Sequence, residues 1–473
     1  MNRRKIRRYF QLIAAAPVLC ASPLLVACLG GTVPLDDPAA AVTLPMSARP
    51  GLATLRSGAL EAVAHLKVPH AEASALFGAA VALSGDGSTL AVGADLKSLG
   101  RGGWFASSGG DVPRAGAVYL YARTPQGWEP QAQLVAQFPV AGAGFGFSLA
   151  LSNDGRTLAV GAPFEVESAD AGAEDVASGA VHVFRREGRH WLAQSRLAAP
   201  AGASGFGSAV SMAGQGDLLA VAMLRPQGRV GARADTRQGP VHVFGLDGTA
   251  WSHRAELQPA EATLSGGFGA SVALSADGGT IAIGAPEAPR AAVHLFRRDG
   301  EGWRAGEQVL ADPGSARQGF GARLGLSADG DTLVVGAPGV SAREGATPAA
   351  PGATYVYARQ AGSWRQQALL RAPHSAPGDG FGGQLALSAD ARVLAVGAQR
   401  GAGAVHLFAH DTASWRPRRP LTFDHADGGH PFGAAIALSG DGRTLAVGDR
   451  LEHGGATGSQ QRHSGAVRLY AAR

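Results

Sequence analysis

Cysteine and lysine are nearly missing from this chain of 473 residues. The two cysteines, Cys20 and Cys28, both lie close to the N-terminus. That excludes a disulfide framework and cysteine-held cofactors from the rest of the chain. Lysine occurs only as Lys5, Lys67 and Lys97. Charge of one sign is lacking as well. The formal +5 is carried by Arg3, Arg4, Lys5, Arg7 and Arg8; without those five, 37 of the 42 basic residues remain against 37 acidic ones. A balanced body has no electrostatic footprint for nucleic acid or an anionic lipid surface, so nucleic acid is not expected as a partner. Amphipathic stretches of helical length are absent, which excludes a helical solenoid. No Ser-His-Asp arrangement, nucleophile elbow, zinc motif or phosphate loop is present, and no cofactor is expected.

What is present begins with the leader. The basic start is followed by an apolar stretch from about Ile13 to Ala27, ending Leu25-Val26-Ala27-Cys28. This ending resembles a bacterial lipobox, which implies cleavage before Cys28 and acylation of Cys28. Cys20 fits less well, because Leu19 precedes it. The alternative is an uncleaved anchor, but Pro17 and Pro23 interrupt the stretch and it is short for a membrane span. Arg7-Arg8 with Phe10 and Leu12 resembles a twin-arginine export signal and departs from it at Ile6; both export routes stand. Leu29 gives no retention signal of the Asp type, so the expected place is the bacterial cell envelope, lipid-anchored at the outer membrane. Residues 1–27 read as signal peptide and 28–55 as a flexible tether rich in Ala, Pro and Gly. The folded part is then 56–473, expected as a monomer.

The folded part is periodic. Seven copies of a pattern close to FGxxVALSxDGxTLAVGAP begin at Phe77, Phe145, Phe206, Phe268, Phe320, Phe381 and Phe432. Sixteen residues separate each Phe from the residue closing the second apolar run: Gly93, Gly161, Ala222, Gly284, Gly336, Gly397 and Gly448. A third run follows, such as GAVHVF, and in six copies a Trp stands seven residues after its aromatic (Tyr121 with Trp128 in the first). Four short apolar runs per copy, the first two joined by Ser-x-Asp-Gly, read as four strands with a tight hairpin between the first pair. Seven such units predict an all-β, seven-bladed β-propeller of four-stranded antiparallel blades.

The seventh copy has no fourth run, since only three residues follow Tyr470. Leu60 lies seventeen residues before Phe77, as Trp128 lies seventeen before Phe145. The stretch Leu60 to Leu66 is therefore expected to complete the last blade and close the ring, which removes two exposed sheet edges.

These copies resemble FG-GAP repeats, the blades of integrin α-subunit propellers, in their bacterial lipoprotein form. The resemblance rests on Phe145-Gly146 with Gly161-Ala162-Pro163, Phe268-Gly269 with Gly284-Ala285-Pro286, and Phe320-Gly321 with Gly336-Ala337-Pro338. It covers about residue 60 to the end. Many members of that family hold calcium in the first hairpin. Here the turn position holds a single acid, as at Asp86 or Asp277, and one carboxylate cannot supply the six to eight oxygens calcium takes. No metal is expected.

His182, His242, His294 and His406 share one repeat position with Tyr119, Tyr355 and Arg468. Positions in adjacent blades stand about 10 Å apart, whereas zinc needs ligands at about 2 Å, so these read as packing residues. The interval that varies joins the second and third strands, from six to twenty-three residues. All these loops lie on one face, where function on a rigid scaffold usually sits. The first holds Arg101, Trp104 and Phe105. The second, with Phe164 and Glu165, has five acids and no base; the third, with Arg225 and Arg229, has four arginines and one acid. Either the acidic and basic loops pair with one another, or they form a dipolar binding surface. The expected role is a non-catalytic binding or scaffold protein meeting a protein or glycan through this face. A propeller enzyme with its site at the central channel mouth is the alternative.

Overall fold

The structure is a computed structural model that describes residues 32–33, 60–68, 74–99, 112–166, 177–200, 203–223, 239–259, 266–287, 290–311, 319–339, 351–373, 376–399, 403–411, 414–422, 432–453 and 462–472. Cys28, Arg101, Trp104, Phe105, Arg225 and Arg229 lie outside the described residues. Among these residues every element is a strand, and no helix is long and apolar enough to cross a membrane.

Seven antiparallel sheets follow one another around a ring. Blade 2 shows the pattern: Ser148–Leu151, Thr157–Ala162, Ala180–Glu187 and His190–Ala198, from the innermost strand to the outer edge. Blade 7 consists of Ala435–Leu438, Thr444–Asp449 and Ala466–Ala472, with Leu60–Leu66 beside the last in the register Leu66↔Val467 and Ala62↔Tyr470.

The local chemistry explains the repeat. In the FG pair the Gly has positive φ in all seven blades, as at Gly146 (95°) and Gly321 (90°), a backbone that L side chains rarely adopt. Its carbonyl then lies against the Gly that closes the second strand of the preceding blade. A Cβ on Gly284 would stand 2.0 Å from the Gly321 oxygen, and one on Gly448 2.1 Å from the Gly78 oxygen. The two halves of the motif are thus the two sides of each blade-to-blade contact. The Phe of the pair is buried and meets the third strand edge-on, Phe145 with His182 at 5.3 Å and Phe320 with Tyr355 at 5.2 Å. His, Tyr and Arg at that position act alike, each placing a flat or planar group against the Phe.

The Ser-x-Asp-Gly hairpins are closed by their own side chains. Ser275 donates its hydroxyl to Asp277 Oδ1 (2.5 Å), which also accepts the Gly279 amide (2.8 Å); Ser275 Oγ accepts the Thr280 amide (2.9 Å). The same set recurs at Asp86, Asp154, Asp329, Asp390 and Asp441. These hairpins also hydrogen-bond to one another in a closed circle. Asp86 N donates to Asn153 O, Asn153 N to Gly214 O, Gly214 N to Ala276 O and Asp277 N to Ala328 O. Ala328 N donates to Ala389 O, Ala389 N to Gly440 O, and Gly440 N returns to Gly85 O, all at 2.8–3.2 Å. With about 5 Å between hydrogen-bonded Cα neighbours, seven residues make a heptagon of about 6 Å radius. Small residues line it. Asn153 is the large one, and its amide lies where Cβ atoms on Gly85 and Gly214 would come within 2.8 and 2.4 Å. The central channel is therefore drawn tight at the hairpin end.

Two features depart from the sequence-based expectation. Thr32–Val33, expected within a tether that contacts nothing, pairs with the outer edge of blade 1 (Thr32↔Leu134). An edge strand offers unpaired backbone groups to any extended segment, with no side-chain code required. The outer strand of blade 6, expected to be continuous from Trp415, is split into Trp415–Pro417 and Leu421–Thr422, because Pro417 and Pro420 have no N–H to donate to the ladder.

Candidate binding face

The loops after each second strand and the connections between blades share the face opposite the hairpins. At the junction of blades 1 and 2 they are tied into one surface. Gly142 N donates to Pro113 O (2.9 Å), Phe145 N to Ala115 O (2.9 Å) and Phe164 N to Ala143 O (3.2 Å). Among the described residues, three phenylalanines on this surface face solvent: Phe138 (75% exposed), Phe164 (45%) and Phe147 (38%). Phe147 and Phe164 stand edge-to-face with ring centroids 5.8 Å apart. Phe164 rests on Gly144, where a Cβ would come within 3.1 Å of its ring. Aromatic rings left in water forgo the burial that normally makes them core residues, and clustering them marks a contact surface.

Of the expected site residues, Phe164 therefore lies exposed on this face. Glu165 does not: it is buried beneath the loop. Its carboxylate meets His182 Nε2 at 2.7 Å and Arg196 Nε at 2.7 Å. Burial alone would raise its pKa, but the hydrogen bond and charge of His182, then those of Arg196, hold it below the usual carboxylate range. The residue type looked like a surface acid, and the partners that bury it come from strands 17 and 31 residues away. Glu165 anchors the loop that displays Phe164.

The same construction recurs in blade 7. Glu452, like Glu165, stands four residues after the second-strand Gly. It meets Arg468 at 2.6 Å, Lys67 at 2.9 Å and His65 at 3.1 Å. Arg468 and His65 occupy the strand positions of His182 and Arg196, each pair directly opposite in register. Burial opposes the charge on Glu452 too, and the His65 hydrogen bond with the Arg468, His65 and Lys67 charges outweighs it, holding the carboxyl far below its ordinary value. Two loops on this face are thus pinned by buried carboxylates.

Phe138 and Phe147 are absent from the sequence-based site. A signal for Phe147 existed: the residue two after the repeat Phe is Ala79, Ser208, Ala270, Ala322, Gly383 or Ala434 in the other blades. A single aromatic among small residues departs from the packing rule of the repeat.

A family comparison agrees with the repeat. A model of the FG-GAP repeat matches residues 128–184, from the outer strand of blade 1 to the third strand of blade 2. No curated protein matches the chain in sequence. Among solved structures, a Bacteroides uniformis protein described as a 6-phosphogluconolactonase is similar, at 15% identity and a TM-score of 0.47, covering 78% of this chain and 95% of that one. Kuenenia stuttgartiensis hydrazine synthase is similar at 12% identity and a TM-score of 0.49, covering 80% and 94%. At these values neither lends the chain a function. The fixed FG and GAP positions, their mutual packing and the seven closed blades lead to one conclusion: the chain is a seven-bladed β-propeller built from FG-GAP repeats.

Proposed function

We propose that this propeller is a non-catalytic binding or scaffold protein of the bacterial cell envelope. A lipid on Cys28 tethers it at the outer membrane, and its long-loop face contacts a protein or glycan. The observation that carries the binding role is the exposed trio Phe138, Phe147 and Phe164, gathered at one blade junction of that face. Large rigid aromatics presented on a firm base are the usual anchors of an interface. A photo-crosslinking residue at Phe164 in living cells is expected to give a discrete adduct, and one at Gly279 on the hairpin face to give none. Adducts of equal yield from both positions would refute the assignment of the face.

The enzyme reading has one supporting observation. Asp95, at the loop end of the second strand of blade 1, has its carboxyl raised mainly by burial, as suits a proton donor. Asp95→Asn should leave binding unchanged if the scaffold reading holds.

A further inference from the structure

Blades 1 to 3 show how neighbouring outer strands are joined near the hairpin end. The repeat Trp donates its indole N–H to a Gln of the preceding blade, Trp191 to Gln131 (3.0 Å) and Trp251 to Gln194 (3.2 Å). That Gln stands three residues after the Trp of its own blade. An Arg near the end of the third strand adds a second link to the preceding blade. Arg186 Nη1 reaches Thr89 Oγ1 (3.1 Å) and Arg123 Nη1 reaches Thr444 Oγ1 (3.3 Å).

Both links fail between blades 4 and 5. The Gln position is Gly306, so the Trp364 indole has no amide to donate to. Arg359, the counterpart of Arg186, turns instead to Asp331 of its own hairpin. Its Nη1 is buried without a hydrogen-bond partner. Thr280, the counterpart of Thr89, is left on the floor of the gap. The result is a cavity of about 300 Å³ lined by Arg297, Arg304, Arg359, Glu307 and Trp364 above Thr280. Glu307 accepts the Trp364 backbone N–H (2.9 Å), which holds it at the cavity edge.

We propose that this cavity is a binding site for a carboxylated saccharide unit, a single pyranose ring bearing a carboxylate. The volume is at the lower end of small-ligand sites, roughly 300–1,000 Å³, and so admits one ring. Three guanidinium groups supply the forked N–H geometry that a carboxylate matches, and Arg359 Nη1 supplies an unmatched donor. The Trp364 ring gives an apolar wall for the C–H face of a sugar. Glu307 and Thr280 supply oxygens for its hydroxyls. Bare phosphate would leave the Trp364 wall unused and offer no hydroxyls to Glu307 and Thr280. A neutral sugar would leave Arg359 unmatched. The site lies away from the long-loop face and is independent of the role proposed for that face.

The test titrates the full chain with D-glucuronate, D-glucose and inorganic phosphate, read by ligand-observed NMR. Glucuronate should bind at millimolar concentration, at least tenfold more tightly than glucose. Gly306→Gln refills the cavity with the side chain found at Gln131, Gln194 and Gln367. It should weaken glucuronate at least tenfold while the melting temperature holds or rises. Arg359→Gln should weaken it equally. Should that variant melt lower, Arg304→Gln, at the exposed mouth, carries the same expectation of at least a threefold loss. No glucuronate binding, equal binding of glucose, phosphate binding without glucuronate, or full binding by Gly306→Gln would each overturn the proposal.

Discussion

On the hairpin face, six of seven turns repeat one set of Ser and Asp contacts, and backbone hydrogen bonds link all seven turns in a circle. On the loop face, the corresponding intervals run from six to twenty-three residues, and phenylalanines stand in solvent. The same repeats build both. The difference shows how a repeat divides its labour. Positions that recur around the ring are used up by the fold: the Phe fills a blade interface in all seven blades, the two glycines let backbones approach in every blade pair but the one closed by Ala222, and the Asp closes its own turn in six. A residue free to contact something else must stand where the repeat varies or breaks, as Phe147, Phe164 and Gly306 do.

This comparison can be broken in several ways. The largest effect is expected from the strand shared by the chain ends. Removing residues 1–55 costs the Thr32–Val33 edge pairing and little more, so melting should shift only slightly. Removing residues 1–66 takes the outer strand of blade 7, including His65, and exposes sheet edges. That variant should aggregate or lose cooperative melting; equal melting of the two truncations would contradict the observed register.

Next in size are the pinned loops. Glu452→Ala leaves Arg468 buried without its closest carboxylate and should cost about 3–5 kcal/mol, read by chemical denaturation. Glu165→Ala should cost about the same or somewhat less, with two side-chain partners released instead of three. Both carboxyls are held below their unfolded value, about 4.3. Their contribution is therefore full above that pH and is lost progressively as pH falls below it through their lower folded values. Stability should decline below about pH 4, and the Glu452→Gln variant should show a shallower acid slope. An unchanged slope would remove the carboxylates from the account.

The hairpin face should respond in smaller steps. Asp277→Ala removes a hydroxyl and an amide contact from one turn and should cost about 1 kcal/mol. The smallest expected effect is that of calcium. Because each hairpin Asp already accepts from its own Ser and amide, melting in millimolar calcium and in chelator should coincide; a rise of several degrees in calcium would reveal native-state binding.

The seven blades were legible in the sequence because each makes the same contacts, so the packing period is written as a residue period. The Ser-x-Asp-Gly turns were legible because their chemistry is local. The burial of Glu165 was not, since it arises from the meeting of three strands and not from its neighbours in sequence. Thr32–Val33 escaped because edge pairing is a backbone property. The broken strand of blade 6 was written in Pro417 and Pro420, but the Trp-to-Leu spacing masked it. Phe164 was found by its loop and Phe147 missed because only the two residues before it belong to the motif. The candidates Arg101, Trp104, Phe105, Arg225 and Arg229, with Cys28, lie outside the described residues.

The division between a structural face and a recognition face is tested most directly by the double variant Phe147→Ser/Phe164→Ser, with a photo-crosslinking residue at Phe138. Both rings are partly exposed already, so their loss should leave the melting temperature within about 2 °C of the parent, while the cross-linked adduct formed in cells falls at least tenfold. A melting temperature lowered by many degrees, with the adduct undiminished, would show that the two rings serve the fold and would contradict the account.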